Sequence, residues 1–231
     1  TYAVAASGNR AYVGDGGGLR VVDVSDPQTP RLLGGMELCT GVSSVFPWNG
    51  LVYIADGVCG LQIVDASDPT PAELAGRVDT PGYAHGIATA GHLAFVADYG
   101  AGLQIIDVAD PTGAEVVGTV DTPGTARGVA VAGGHVFVGD YDHGLQIIDV
   151  TDPTEPYIAG STALPGYAWG VAVAGAYAYV CCLSAGLQIV NISDPTTPLL
   201  VAGIDWGPGS AWDVAVSGEY VWTACVDGTL R

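Results

Sequence analysis

The chain repeats itself every 42 residues. Leu61-Gln62-Ile63-Val64-Asp65 returns as Leu103-Gln104-Ile105-Ile106-Asp107, as Leu145-Gln146-Ile147-Ile148-Asp149 and as Leu187-Gln188-Ile189-Val190-Asn191, and Leu19-Arg20-Val21-Val22-Asp23 opens the series one period earlier. Few architectures suit such a period, because each copy must be one supersecondary unit that buries its apolar faces against its neighbours. The repeat constrains function less tightly. Residues that obey it report the scaffold, whereas chemistry belongs where the copies differ.

The copy from Tyr83 to Gly124 shows how one unit is built. Gly86 to Ala90 is a short apolar run ended by Gly91, and His92 to Ala97 alternates around Leu93 and Phe95. Leu103 to Val108 is apolar on both of its alternating sets, and Asp110-Pro111-Thr112-Gly113 is a turn signal. Glu115 to Val120 is a last apolar run, closed by Asp121-Thr122-Pro123-Gly124. No segment carries helical periodicity, so the class is all-β. A four-stranded antiparallel meander of about 40 to 45 residues is the pattern of a β-propeller blade, and face-to-face blades explain a strand apolar on both sides.

The copies tile as blades over 1–40, 41–82, 83–124, 125–166 and 167–208, with a partial sixth over 209–231, which makes 1–231 a single β-propeller domain whose sixth blade is incomplete. That last copy holds a first strand (Trp212 to Val216), a second (Tyr220 to Cys225) and the stub Asp227-Gly228-Thr229-Leu230-Arg231. A closed ring avoids a bare edge, so missing flanking segments or another chain are expected to supply the outer strands.

The phrase Gly-Leu-Gln-Ile-Val/Ile-Asp-Val-x-Asp-Pro-x-x-Pro resembles the LVIVD repeat of bacterial and archaeal propeller proteins, many of them exported or surface-attached. The resemblance covers the whole chain, because its Asp-Pro pairs recur in register at Asp26-Pro27, Asp68-Pro69, Asp110-Pro111, Asp152-Pro153 and Asp194-Pro195. Asn191 for Asp and Arg20 for Gln are the departures. The resemblance implies a propeller and an extracellular, periplasmic or cell-surface location. It brings no catalytic residues with it.

Composition limits the partners. The chain is 49% hydrophobic and 13% charged, which describes a folded protein, and no run of 18 apolar residues lacks Gly, Pro or charge, so no transmembrane segment is expected. It begins at Thr1, as a trimmed or mature product would. Against 24 acidic residues stand 6 basic ones, all Arg, for a net charge of −18. Nucleic acid is therefore excluded as a partner, since phosphates need clustered cations, and the acidic surface favours solubility and a monomer.

The Asp beside each Asp-Pro turn (Asp23, Asp65, Asp107, Asp149) recurs once per blade and reads as a backbone cap rather than a calcium or acid-base group. The Gln of each Leu-Gln-Ile reads as an inter-blade hydrogen bonder. His92 and His135 are out of register with one another and make no metal pair. The column just inside the first, innermost strand, next to the linking loop, behaves differently, reading Tyr2, Ser43, His85, Arg127, Trp169 and Trp212. These residues should ring the channel mouth on the face that carries the inter-blade links. Tyr83 and Tyr167 come from the links, and Tyr99, Tyr141, Asp142 and His143 come from the turns between second and third strands, above an Asp column of Asp15, Asp56, Asp98 and Asp140.

Aromatic walls with a few polar groups suit a ligand pocket for a protein, glycan or small ligand; the alternative is a plug that excludes water. An enzyme reading, hydrolase or lyase, would make His85 or His143 the base, Asp98 or Asp140 its orienting partner and Arg127 an anion clamp. No motif supplies a nucleophile, so a binding module is preferred, and no cofactor or metal is called for. A third reading is a structural domain that assembles through its incomplete blade. The five cysteines form no zinc pattern, since no CxxC pair recurs. Cys182 and Cys225 replace Asp in its column, with Cys181 as an alternative partner for either. Cys39, in the link entering blade two, and Cys59, in that blade's turn, are the favoured disulfide pair, against the reading that all five are small apolar residues.

Overall fold

Apolar runs cut by Gly and Asp-Pro turns fold as strands throughout. The computed structural model describes residues 3–39, 41–207, 210–226 and 228–231, which leaves Tyr2 of the candidate column outside the described residues. The first sheet joins β1 (Ala3–Ser7), β2 (Arg10–Asp15), β3 (Gly18–Asp23) and β4 (Arg31–Glu37). The second joins β5 (Ser44–Trp48), β6 (Leu51–Ala55), β7 (Leu61–Asp65) and β8 (Glu73–Val78). The third contains β9 (Gly86–Ala90), β10 (Leu93–Ala97), β11 (Leu103–Asp107) and β12 (Glu115–Val120), with a single 3-10 turn over Pro111–Gly113. The fourth holds β13 (Gly128–Ala132), β14 (His135–Gly139), β15 (Leu145–Asp149) and β16 (Tyr157–Thr162), and the fifth β17 (Val171–Ala174), β18 (Tyr177–Cys181), β19 (Leu187–Asn191) and β20 (Leu199–Ile204). A two-stranded sheet of β21 (Ala211–Ser217) and β22 (Tyr220–Cys225) follows. Arg231 extends it, exchanging backbone bonds of 2.8 and 3.0 Å with Thr223. Each four-stranded sheet follows chain order, as a meander must.

The chain divides into two compact units, one of residues 1–98 and 105–117, the other of 99–104 and 118–231. In the first unit, Leu19 and Val21 pack with Val45, Val52, Ile54 and Val64. On the other side of the second sheet, Leu61 and Ile63 pack with Ile87, Val96 and Ile106. Ile63 and Val64, neighbours in β7, thus enter two different cores, which is why this strand is apolar on both faces. In the second unit Phe137, Leu145 and Ile147 meet Val171, Val180 and Val190. Cys181 and Leu187 meet Ala211 and Val214. Each fully buried side chain of this size contributes about 1.5–3 kcal/mol by leaving water.

The repeated polar residues build turns. Asp23, Asp65, Asp107 and Asp149 each accept the backbone N–H two residues on, at 2.8–2.9 Å, and Asn191 does the same for Ser193 at 2.9 Å. The Asp of each Asp-Pro pair makes a second such turn, as Asp152 does with Thr154 N at 3.0 Å and Thr154 Oγ1 at 2.7 Å. The Gln column differs from expectation. Gln62, Gln104, Gln146 and Gln188 donate to the carbonyls of Cys59, Ala101, His143 and Ala185, three residues back, so each ties down its own blade's turn rather than the neighbouring blade. The amide reaches the turn carbonyl before any group outside the hairpin. Where Arg20 replaces Gln, its guanidinium pairs with Glu37 at 2.9 Å and Asp15 at 3.5 Å.

A glycine column sets the spacing between sheets. A Cβ at Gly34, Gly76, Gly118 or Gly160 would overlap the carbonyl oxygen of Pro69, Pro111, Pro153 or Pro195. The Asp-Pro turn of one sheet therefore seats backbone against backbone on the outer strand of the sheet before it. The fifth sheet has Ala202 at this position, opposite Ile189, and exposes Leu199, Val201 and Ile204.

Candidate functional site

The divergent column is placed by a repeated pair of backbone contacts. Ala84, Ala126, Ala168 and Ala211 form isolated bridges with Gly57, Tyr99, Tyr141 and Leu183, the turn residues after each second strand. The next residue then donates its N–H into its own sheet: His85 to Ala97 at 2.8 Å, Arg127 to Gly139 at 2.9 Å and Trp169 to Cys181 at 2.7 Å. Links and second-to-third-strand turns thus share one edge. The turn residue must adopt a left-handed conformation, which Gly57 does freely (φ 55°) but Tyr99 (φ 53°) and Tyr141 (φ 46°) do not. Leu183 (φ 44°) does the same in the fifth blade, so the conformation belongs to the turn itself, at about 1–3 kcal/mol per non-glycine residue.

In the second unit two of these turns bring tyrosine rings against a cation. The Arg127 guanidinium lies 4.0 Å from the ring centre of Tyr99, 4.0 Å from that of Trp169 and 5.2 Å from that of Tyr141. Its Nη1 also donates to the Tyr99 hydroxyl. Tyr141 stacks on Tyr167 at 4.3 Å and 9°, and meets the edge of Trp169 at 6.3 Å and 67°. Trp169 in turn contacts Trp212 at 4.5 Å. Six of the expected residues therefore form one cluster: Tyr99, Arg127, Tyr141, Tyr167, Trp169 and Trp212. Its outer members, Tyr167 and Trp212, are 45% and 43% exposed, so the stack has an open side. Burial among the rings pushes the Arg127 pKa down from its ordinary value, against the pull of the two tyrosines, and the side chain remains a cation. Contacts at these distances are worth about 0.5–2 kcal/mol each.

The remaining expected residues stand elsewhere. His143 is exposed and held by Asp142 at 3.0 Å. Tyr83 and His85 belong to the first unit, half-buried on either side of Ala84. Within the Asp column, Asp15 accepts Gly17 N of its own turn at 2.8 Å, whereas Asp98 and Asp140 serve the links. Asp98 accepts from Thr80 Oγ1 at 2.7 Å and Gly82 N at 2.8 Å, and Asp140 from Thr122 Oγ1 at 2.8 Å and Gly124 N at 2.9 Å. Burial raises the pKa of both carboxyls, and these hydrogen bonds oppose the rise. In each, one carboxylate oxygen thus accepts from a threonine hydroxyl of the link and the other from a backbone N–H of the link.

Asp213, next to Trp212 in the chain, is a departure that the column comparison passed over. In register it follows Gly86, Gly128 and Gly170, so a carboxylate stands where three copies have no side chain. A Cβ at Gly170 would overlap the Trp212 carbonyl oxygen at 2.7 Å and the Asp213 Cα at 2.8 Å, as one at Gly128 would the Trp169 carbonyl oxygen, so it is the next sheet's backbone that keeps glycine there. Asp213 is exposed in surface area, yet its surroundings are dense enough that lost hydration pushes its carboxyl pKa up. Its signal in the sequence is the break in a glycine column, one residue beyond the aromatic one.

All five cysteines are thiols. Cys181 is buried and its Sγ donates to the Asp213 carbonyl at 3.3 Å; Cys182 is buried as well, and burial raises both pKa values. In the first unit Cys39 and Cys59 come together around Asp56, with one ligand atom from each lying within 4.8 Å of the others. The hydrogen bond with Cys39, with burial second, pushes the Cys59 thiol up to about 11. An open cleft of about 310 Å³ in the second unit, between His135, Phe137, Val173 and Ile192, shares no residue with the ring cluster, and its apolar walls offer few converging polar groups.

A family model described as the LVIVD repeat matches residues 1–37, 48–80, 81–122, 123–163, 165–205 and 208–231. Among solved structures, the computationally designed Ika8 protein superposes with a TM-score of 0.77 at 13% identity, over 99% of this chain and 69% of that one. The β-propeller domain of Cps50 (Swd1) from Myceliophteria thermophila gives 0.72 at 16% identity, over 99% of this chain and 86% of that one. Likeness at such identities shows the fold alone, and the fold is a β-propeller of four-stranded blades. No curated protein sequence matches the chain.

Proposed function

The chain belongs to the LVIVD repeat family, and on that footing we propose that it is a non-catalytic, extracytoplasmic binding module whose ligand stacks on the open side of the Arg127 cluster. The observation that carries this reading is the guanidinium held 4.0 Å from both Tyr99 and Trp169 while Trp212 remains 43% exposed. Flat, amphipathic rings offer a large contact area at low entropic cost. Arg127 adds donors, and a net charge of −18 disfavours polyanions. The chemistry therefore suits a neutral, hydroxyl-rich ligand of the glycan class.

Titrating the chain with a panel of neutral α- and β-linked oligosaccharides, followed by tryptophan fluorescence and calorimetry, tests it. Saturable binding to one member is expected, weakened roughly 10-fold or more in Trp212→Ala with the melting temperature nearly unchanged, as for an exposed hot-spot ring. A panel without a binder, or a binder indifferent to Trp212, sinks the glycan reading. A second reading, assembly through the sixth repeat, draws on Tyr220 and Trp222, 68% and 44% exposed on β22.

A further inference from the structure

Two departures from the repeat converge on one carboxylate of the first unit. In register, Cys39 stands where the later links have Pro81 and Pro123, and Cys59 stands where other turns have Ala101 and Ala185. Both thiols flank Asp56, which is fully buried. In the link before that blade Leu38 occupies the position of Thr80 and Thr122, whose hydroxyls cap the equivalent carboxylates Asp98 and Asp140. The blade has thus lost the hydroxyl at that position and gained two thiols beside the same carboxylate.

We propose that Cys39, Asp56 and Cys59 form a binding site for a thiophilic divalent cation of the Zn²⁺ class, with a fourth coordination position open to solvent. Zinc bound to thiolates at about 2.3 Å and to a carboxylate at about 2.0–2.2 Å in a tetrahedron places its ligand atoms about 3.5–3.8 Å apart. The three ligand atoms here already lie within 4.8 Å of one another. Two soft sulfurs with one oxygen select against Mg²⁺ and Ca²⁺, which take all-oxygen shells.

The ligands are also held in place. Cys39 N donates to Asp56 Oδ2 at 3.0 Å and Gly41 N to Oδ1 at 3.2 Å, which orients the carboxylate. Cys59 N donates to Asp56 O at 3.0 Å, and Gln62 Nε2 fixes the Cys59 carbonyl at 2.7 Å. A disulfide between the same sulfurs would be neutral and add nothing for a buried carboxylate, whereas a cation matches its charge. Cys39 is exposed, which provides the entry path and the open position. The spacing hides the site from a search for CxxC, because the ligands come from a link and from both ends of a turn.

The full chain, reduced and stripped with a chelator, is titrated with Co²⁺ and then Zn²⁺. Saturable thiolate-to-cobalt charge-transfer absorption is expected, displaced by Zn²⁺, absent in Cys39→Ser and Cys59→Ser and retained in Cys225→Ser. Alkylation provides a measurement that needs no variant: Zn²⁺ should slow modification of Cys39 and Cys59 roughly 10-fold or more and leave Cys225 unaffected. Absence of the band, its survival in the double serine variant, or a Cys39–Cys59 disulfide that forms as fast with saturating Zn²⁺ as without it overturns the proposal. Failure here leaves the ring cluster of the second unit untouched.

Discussion

An Asp that caps a turn builds acid sensitivity into every copy of the repeat. Asp152 and Asp194 each accept a threonine hydroxyl and a backbone N–H, hydrogen bonds that hold both carboxyls below their ordinary pKa. A carboxylate whose folded pKa is lowered contributes stability above its unfolded pKa of about 3.9 and loses it as pH falls through the folded value. Asp98, Asp140 and Asp213, raised by burial, run the other way and soften the acid limb. Asn191 already builds the same turn without a charge. Asp152→Asn combined with Asp194→Asn should therefore leave the melting temperature at pH 7 nearly unchanged and flatten its fall below about pH 4. A melting profile against pH that superposes on the parent's would show that the caps do not govern acid unfolding. These residues were legible in the sequence because they obey its period. Asp213 was not, because its meaning lies in what it replaces, and the Gln column misled because a long amide can reach either its own turn or its neighbour.

At the scale of elements, the strands could be read almost to the residue. β9 and β12 occupy the spans that the apolar runs mark, and β10 and β11 are each one residue shorter. What periodicity does not carry is how one sheet seats on the next, since that depends on a backbone approach with no side chain to announce it. Gly118 shows it: a Cβ there would overlap the Pro153 carbonyl and press on Pro156 Cδ at 3.2 Å. Gly118→Ala should cost about 1–3 kcal/mol or more by overpacking. Gly100→Ala, at a turn with nothing within 4 Å of the added methyl, should be neutral or slightly stabilising. Equal denaturation midpoints for the two variants would remove the proline seat as the device that spaces the blades. The ring cluster was legible only in part. Register found its members, but the cation at its centre emerges from distances between residues of three different blades.

For the whole molecule, charge and edges decide the solution state. A net charge of −18 opposes association, while Tyr220, Trp222 and Leu230 on the last strands favour it. The binding-module reading expects a single monomeric boundary in sedimentation velocity at micromolar concentration and physiological salt. A concentration-dependent dimer that Trp222→Ser disperses would instead favour assembly through the sixth repeat. A protein made of interchangeable modules faces a particular hazard, because any copy presents to another molecule the same seat that it presents to its own neighbour. Four outer strands here are already occupied by the turn that follows them in the chain. The fifth, with Leu199 and Val201 uncovered, would be the vacancy that a stray Asp-Pro turn from a second molecule could take. Ala202 changes the seat itself: where the other four strands have a glycine that admits a carbonyl oxygen, the fifth presents a methyl group.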